Sequence, residues 1–270
     1  NFQPTEAVKL FTVMYASDYV LRKSKQMRTI VKGFLPMLGV MIVTGFLVFV
    51  EPDLGALIVI IAIAMGILFL GGLTLRVIFS LAILAPIGIW GAILISPYKQ
   101  ARIQGFLDPW APENVFNSGY QTTQAQMAFG NGEFFGVGVG NSVAKLSFLP
   151  EAHTDFIMAI IGEEFGLFGV SIVIGLFAFL IVRLFGIAKE SIQNNRYFAA
   201  LMAQGIAIWF AIQCTINIAV NLGLFPTKGL TLPLLSFGGS SILVSILAIS
   251  IALRIDHENR RNLRGQHYNK

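Results

Sequence analysis

LPEAHTDFIMAIIGEE (149–164) runs directly into FGLFGVSIVIGLFAFLIV (165–182). The second stretch carries no charge and is long enough to cross a hydrocarbon core, for which about 18 apolar residues suffice. The first gathers Glu151, Asp155, Glu163 and Glu164 at its mouth, together with His153. A membrane-spanning helix with a charged entrance is therefore the unit from which the rest of the chain is read.

The composition extends that reading to the whole chain. Of 270 residues, 55% are hydrophobic and 12% charged, with a mean hydropathy of +0.73, whereas soluble domains carry about 25% charged residues. Uncharged runs at 33–50, 54–75, 77–98, 165–182, 197–227 and 229–253 give six spans. An apolar stretch at 5–21, interrupted by Lys9 and Asp18, gives a seventh. The expected fold is all-α, a polytopic integral membrane helical bundle with spans at about 5–21, 33–50, 54–75, 77–98, 155–182, 197–225 and 238–254.

Short cytoplasmic loops collect Lys and Arg. Most of these residues fall in 22–32, at Arg76, in 183–196 and in 254–270, on alternate sides of successive spans. Those segments are expected inside, and the 51–53 turn, the 99–154 loop and the 225–237 connection outside. The net charge of +5 then reflects topology and anionic lipid headgroups, and gives no reason to invoke nucleic acid. The sole cysteine, Cys214, excludes an intrachain disulfide and a Cys-based metal site. The opening NFQPTE has no Met, basic region or cleavage site, so it reads as the start of a fragment, not a signal peptide.

The long loop 99–154 is rich in aromatic residues, which argues for a folded extracytoplasmic cap. Within it, FNSGYQTTQAQMAFGNG (116–132) suits a short amphipathic helix at the membrane surface. GNGEFFGVGVGN (130–141) lacks the flanking strand and Gly-Lys-Ser/Thr of a phosphate loop and reads as turns. The connections leave no room for a soluble catalytic domain.

Several residues carry two readings. Asp155, in the first turn of its span, is either a helix cap or a base or cation ligand beside His153. On a continuous helix Glu163 and Glu164 lie about 80° and 180° around from Asp155, so the three cannot line one cleft. The glutamates read as structural groups bonded to neighbours. Glu6 and Lys9, at i, i+3, form either an ion pair or a contact for phosphate. Asp53, with Glu51, lies in the turn EPDLG. SFGGSS (236–241) suits an anion site at a helix start or close helix packing.

Taken in order, FQPTEAVKL, EPDLGA, FNSGYQTTQAQMAFGNGEFFGVGVGNS, LPEAHTDFIMAIIGEEFG, LPLLSFGGSS and LRIDHENR resemble the SEDS family of shape, elongation, division and sporulation proteins, with the AHTDF form and LRID ending closer to its division members. The resemblance implies about seven of the family's ten spans, the chain starting just before the fourth. It implies a peptidoglycan glycosyltransferase polymerising lipid II, an undecaprenyl-pyrophosphate disaccharide-pentapeptide, at the outer face of the cytoplasmic (inner) membrane and at the division septum. Asp155 matches the family's essential aspartate, a general base toward the GlcNAc 4-hydroxyl in an inverting transfer. Glu6, Lys9, Asp53, Arg102, His153, Thr154 and Ser240 match supporting positions; Lys9 and Arg102 suit the pyrophosphate, and His153 and Thr154 would orient Asp155. A divalent cation, Mg or Mn, could bridge pyrophosphate to carboxylates, although the sequence shows no dedicated cage. The implied partners are a class B penicillin-binding protein transpeptidase and other divisome membrane proteins. The rival functions are a lipid II flippase or transporter, which would want a polar route across the midplane, and a scaffold without chemistry. The topology is checked by cysteine labelling in intact cells: a Cys placed at Ser118 is expected to react with an impermeant reagent, and reaction only after the membrane is opened would reverse the orientation.

Overall fold

The computed structural model describes residues 3–50, 53–80, 83 and 97–268. Among these it contains helices α1 (Pro4–Arg22), α2 (Leu35–Val50), α3 (Leu54–Leu70), α4 (Pro97–Leu107), α5 (Tyr120–Gly132), α6 (Ile157–Gln193), α7 (Tyr197–Asn221) and α8 (Gly239–Tyr268), and no strand. Four helical stretches are long and apolar enough to cross a membrane: Ile30–Val48, Ile157–Gln193, Tyr197–Asn221 and Gly239–Asn262. They fall on four of the expected spans. Helix α3 is apolar but has only 17 residues, and α1 has 19 but includes Glu6, Lys9 and Asp18. Most of the expected span at 77–98 lies outside the described residues.

The chain forms two compact units. One draws on 1–80, 178–212 and 239–270. In it α1 starts with Pro4, where the missing N–H costs nothing, Glu6 lies in the first turn and Arg22 in the last, as the helix dipole favours. Its inner face, with Leu10, Val13, Ala16 and Val20 buried, packs on α3. Helix α7 comes close because Gly205 has no side chain: a Cβ there would lie 2.7 Å from Ile67 and 2.8 Å from Val13. The same unit contains a polar clasp made by the LRIDHEN segment of α8. Arg183 pairs with Asp256 at 3.0 Å, Arg196 pairs with Glu258 and donates to Asn259 Oδ1 at 3.0 Å, and Asn259 Nδ2 donates to Ser191 Oγ at 2.8 Å.

The other unit draws on 81–177 and 213–238 and contains the folded part of the long loop. Helix α5 forms where the amphipathic pattern placed it, but it has a protein-facing side, with Thr122, Thr123, Ala125 and Ala128 buried. Ala125 and Ala128 join Leu149, Ala152, Phe156, Ala159 and Val220 in one apolar cluster. Gly132 sets the approach: a Cβ there would fall 1.9 Å from Gly162 O.

Helix α6, 37 residues long, is interrupted at Gly166, whose φ of 65° and ψ of −163° are not helical. The interruption frees main-chain groups, and residues 133–138 satisfy them. Val137 and Gly138 N–H donate to Glu163 O and Glu164 O at 2.9 and 3.1 Å, and Leu167 and Phe168 N–H donate to Glu133 O and Phe134 O at 2.9 and 3.1 Å. The segment expected to be mere turns is thus a main-chain partner for a broken helix, the arrangement that low-dielectric surroundings demand of irregular backbone. The helix also outlasts the expected end of the span at residue 182, because it continues into the polar clasp.

The conformation at Gly166 is essentially open to glycine alone and costs other residues about 1–3 kcal/mol. A Cβ there would also lie 2.5 Å from Gly136 N. Gly166→Ala is therefore expected to lower the melting temperature in detergent. Gly175→Ala, whose methyl would meet nothing within 4 Å, is expected to leave it unchanged or raise it.

Candidate functional site

The turn that delivers Asp155 is built on Glu151, which adopts a φ of 56°. Its carbonyl accepts the N–H groups of Thr154, Asp155 and Phe156 at 3.1–3.2 Å. Thr154 Oγ1 donates to Glu151 Oε2 at 2.8 Å. The three successive carbonyls of residues 153–155 are all held from 217–237. His153 O accepts Phe237 N–H at 2.8 Å, Thr154 O accepts the Ser236 hydroxyl at 2.5 Å, and Asp155 O accepts Asn217 and Asn221 Nδ2, each at 2.9 Å. Asn221 Oδ1 also accepts Ala159 N–H at 3.0 Å, sharing that first-turn donor with Phe156 O at 3.0 Å.

Against this fixed backbone the Asp155 side chain is half-buried and His153 exposed. A Cβ on Gly229 would lie 3.3 Å from Asp155 Oδ2, so the connection after α7 passes directly beside the carboxylate. Lys228 precedes that glycine. Deeper along α6, Glu163 is buried and accepts from the Ser142 hydroxyl at 2.5 Å, from Ala144 N–H at 3.1 Å and from Val143 N–H at 3.3 Å. Glu164 pairs with Lys145 at 2.6 Å. Both glutamates thus grip the segment that leads into the Asp155 turn, in keeping with the structural reading. Arg102 is half-buried on α4.

The first unit gathers the remaining sequence-derived residues at the start of α1. Asp53 caps α3, its Oδ1 accepting Ala56 N–H at 2.9 Å, while its Oδ2 accepts from Gln3 Nε2 and Thr5 Oγ1, each at 3.3 Å. Ser240 Oγ accepts Gln3 N–H at 2.9 Å. Lys9 pairs with Glu6 at 2.8 Å and lies 5.8 Å above the Trp209 ring, with no exposed surface. Of the two readings of Glu6 and Lys9 the ion pair is formed, and Lys9 is enclosed. Glu6 Oε2 is buried without a hydrogen-bond partner among the described residues. Among the described residues no three His, Cys, Asp or Glu side chains gather to hold a metal ion.

Residues 1–261 match the FtsW, RodA and SpoVE family model, described as cell cycle proteins. The chain belongs to this family. Among the relatives of this FtsW/RodA/SpoVE member, a probable peptidoglycan glycosyltransferase FtsW of Aromatoleum aromaticum is 52% identical over 98% of this chain and 64% of its own length. A protein of the same name from Thiomonas intermedia is 48% identical over 99% of this chain and 65% of its own. The chain thus spans about two thirds of these relatives. A chain of a peptidoglycan synthase complex that coordinates polymerization and crosslinking superposes with a TM-score of 0.75 at 27% identity, over 96% of this chain and 70% of that one. The rod shape determining protein RodA of Thermus thermophilus shares the fold, with a TM-score of 0.57 at 24% identity over 96% of this chain and 66% of that one.

The amides that hold Asp155 were missed by sequence reasoning. Gln213, Asn217 and Asn221 recur every four residues, on one face of α7, and all are buried. Gln213 Nε2 reaches Thr231 O at 2.8 Å and Asn217 Nδ2 reaches Leu230 O at 2.6 Å. Amides at this spacing in an apolar run were the available signal, since polar groups at membrane depth need partners. Asn217→Leu leaves the Leu230 carbonyl without that donor and weakens the hold on Asp155. A loss of about 1–3 kcal/mol is expected, read as a lower melting temperature. Ser250→Ala, which removes an exposed hydroxyl bonded to Ile246 O, is expected to stay within about 0.5 kcal/mol.

Proposed function

We propose that this family member carries the catalytic centre of a peptidoglycan glycosyltransferase that polymerises lipid II at the outer face of the cytoplasmic membrane during cell division. The observation that carries the reading is Asp155: a half-exposed carboxylate on a backbone fixed by captured carbonyls, at the mouth of an apolar helix. A lipid-linked sugar presents its head at such a mouth while its tail stays in lipid. Asp155 takes the proton from the GlcNAc 4-hydroxyl, whose oxygen attacks the donor's anomeric carbon as the diphosphate leaves, with inversion. His153 and Thr154 orient the carboxylate through the turn they share with it.

From the family resemblance, Arg102 and Lys9 are each proposed as contacts of the diphosphate and Glu6, Asp53 and Ser240 as supporting residues: Glu6 pairs with Lys9, while Asp53 and Ser240 bond to Gln3 at the start of α1. Removing one partner of a buried ion pair costs about 3–5 kcal/mol, so Lys9 exchanges Glu6 for the diphosphate only if the diphosphate replaces the lost charge. Arg102 is half-buried on α4. A divalent cation, Mg or Mn, belongs to the proposal only as a companion of the substrate's phosphates, since the described carboxylates and histidines form no cage for it. A class B penicillin-binding protein transpeptidase and other divisome membrane proteins at the septum are the proposed partners. The relatives named as peptidoglycan glycosyltransferases and the fold shared with a chain of a peptidoglycan synthase complex support these assignments.

The test is Asp155→Asn in the full-length protein, given labelled lipid II. Asn keeps the shape and ranks with Asp as a helix cap, so a structural aspartate predicts a cost of no more than about 1 kcal/mol and near-normal turnover in folded enzyme. Loss of a general base predicts a fall of about 10²–10⁴ in rate, with the melting temperature little changed. Near-normal glycan synthesis by the variant would defeat the base assignment. Translocation of lipid II without polymer from the unaltered protein would favour a flippase.

A further inference from the structure

The ladder that repairs the break in α6 also presents an apolar surface that the proposed reaction does not use. Phe134 is 68% exposed, Phe135 84%, Val137 41% and Val139 73%. From Phe134 to Ala144 the chain carries no charge. On α6, next to the ladder, Phe165, Leu167 and Phe168 are also open, at 43%, 54% and 62%. The two surfaces are continuous, because residues 133–138 are hydrogen-bonded to 163–168.

Two independent observations say what covers this surface. The first is depth. The charged end of α6 begins at Arg183, which pairs with Asp256 and with Glu190. From there the unbroken helix back to Leu167 rises about 24 Å at about 1.5 Å per residue. A hydrocarbon core about 30 Å thick leaves about 6 Å more, so the break and its ladder lie within the outer margin of the core. The second is the accounting of main-chain groups. Gly136 N–H donates to Gly132 O at 2.7 Å, and Val137 and Gly138 N–H donate into α6. Glu133 O and Phe134 O accept from α6. Val137 O accepts Asn141 Nδ2 at 3.1 Å, and Gly138 O accepts Asn141 N–H at 3.2 Å. The main-chain groups that the segment turns towards α6 and Asn141 are thus paired within the protein while its apolar side chains turn outward, an arrangement suited to surroundings poor in hydrogen-bond partners.

We propose that residues 134–139 form an interfacial insertion whose Phe134, Phe135, Val137 and Val139 side chains sit among the acyl chains of the leaflet opposite the Arg183 end of α6. Its occupant is lipid, and its surface continues the lipid-facing side of the helix to which it is laced. Phe116, 81% exposed, belongs to a different environment, because its stretch includes Asp108 and Glu113 and no ladder ties it to α6.

The proposal is tested on the full-length protein in phosphatidylcholine/phosphatidylglycerol vesicles, in a Cys214→Ala background, with nitroxide labels at Phe135→Cys and, as a second variant, Val139→Cys. Phe168→Cys marks the lipid-facing helix and Phe116→Cys the aqueous loop. Power-saturation spectra are recorded with oxygen, which concentrates in lipid, and with a water-soluble nickel chelate. Labels at 135 and 139 are expected to show high oxygen and low nickel accessibility, as at 168, with a depth near the acyl boundary. Nickel accessibility like that at 116 would overturn the proposal in favour of a water-facing patch. Low accessibility to both reagents would overturn it in favour of a protein contact.

Discussion

The capture of three successive carbonyls, those of His153, Thr154 and Asp155, is the constraint on which the second unit depends. The donors come from unlike sources: the main chain at Phe237, a hydroxyl at Ser236 and two amides on α7. Each bond adds only about 0.5–1.5 kcal/mol net, but leaving a buried acceptor unpaired costs more than making the bond gains. The turn is therefore fixed less by the strength of any one contact than by the absence of a cheap alternative. That fixing aims the Asp155 carboxylate at Gly229 and ties the start of α6 to the connection leading to α8.

The charges around this turn have distinct work. Glu163 and Glu164 lie on different faces of α6, yet both engage 142–145, because that segment wraps the helix. They hold the approach to the turn, while Asp155 alone among the acids of the opening stretch lies against the Gly229 connection. In the first unit, Asp53 and Ser240 knit the start of α1 to the starts of α3 and α8, while Glu6 and Lys9 pair within α1. The carboxylate of Asp53 performs two tasks, capping one helix with one oxygen and accepting from α1 residues with the other.

Much of this was legible in the sequence, and the omissions have physical causes. Uncharged runs revealed the spans at 33–50, 155–182, 197–225 and 238–254, because the cost of charge in lipid writes itself into composition. Asp53 was legible as a turn acid but not as a cap, since its partner is the main chain. Gly166 was not legible at all. Apolar helices in membranes carry many glycines for close packing, and nothing local separates a packing glycine from one in a left-handed conformation. The ladder partner lies 30 residues upstream in a stretch whose glycines resemble turns. The enclosure of Lys9 was not legible, because hydropathy assigns a cost to lysine without seeing Glu6 and Trp209 around it.

The lacing of 133–138 to 163–168 also makes the two segments a single cooperative unit. Separating them would strand several donors and acceptors at once where water cannot replace the lost bonds, so partial opening has no stable intermediate. A displacement of the outer segment is carried to α6 through peptide groups, without relying on any particular side chain. Side-chain substitutions at 134, 135, 137 and 139 can therefore leave the mechanical link to the helix bearing Asp155 at its head in place, whereas Gly136, where a Cβ would lie 2.1 Å from Glu164 O, cannot be exchanged without breaking it.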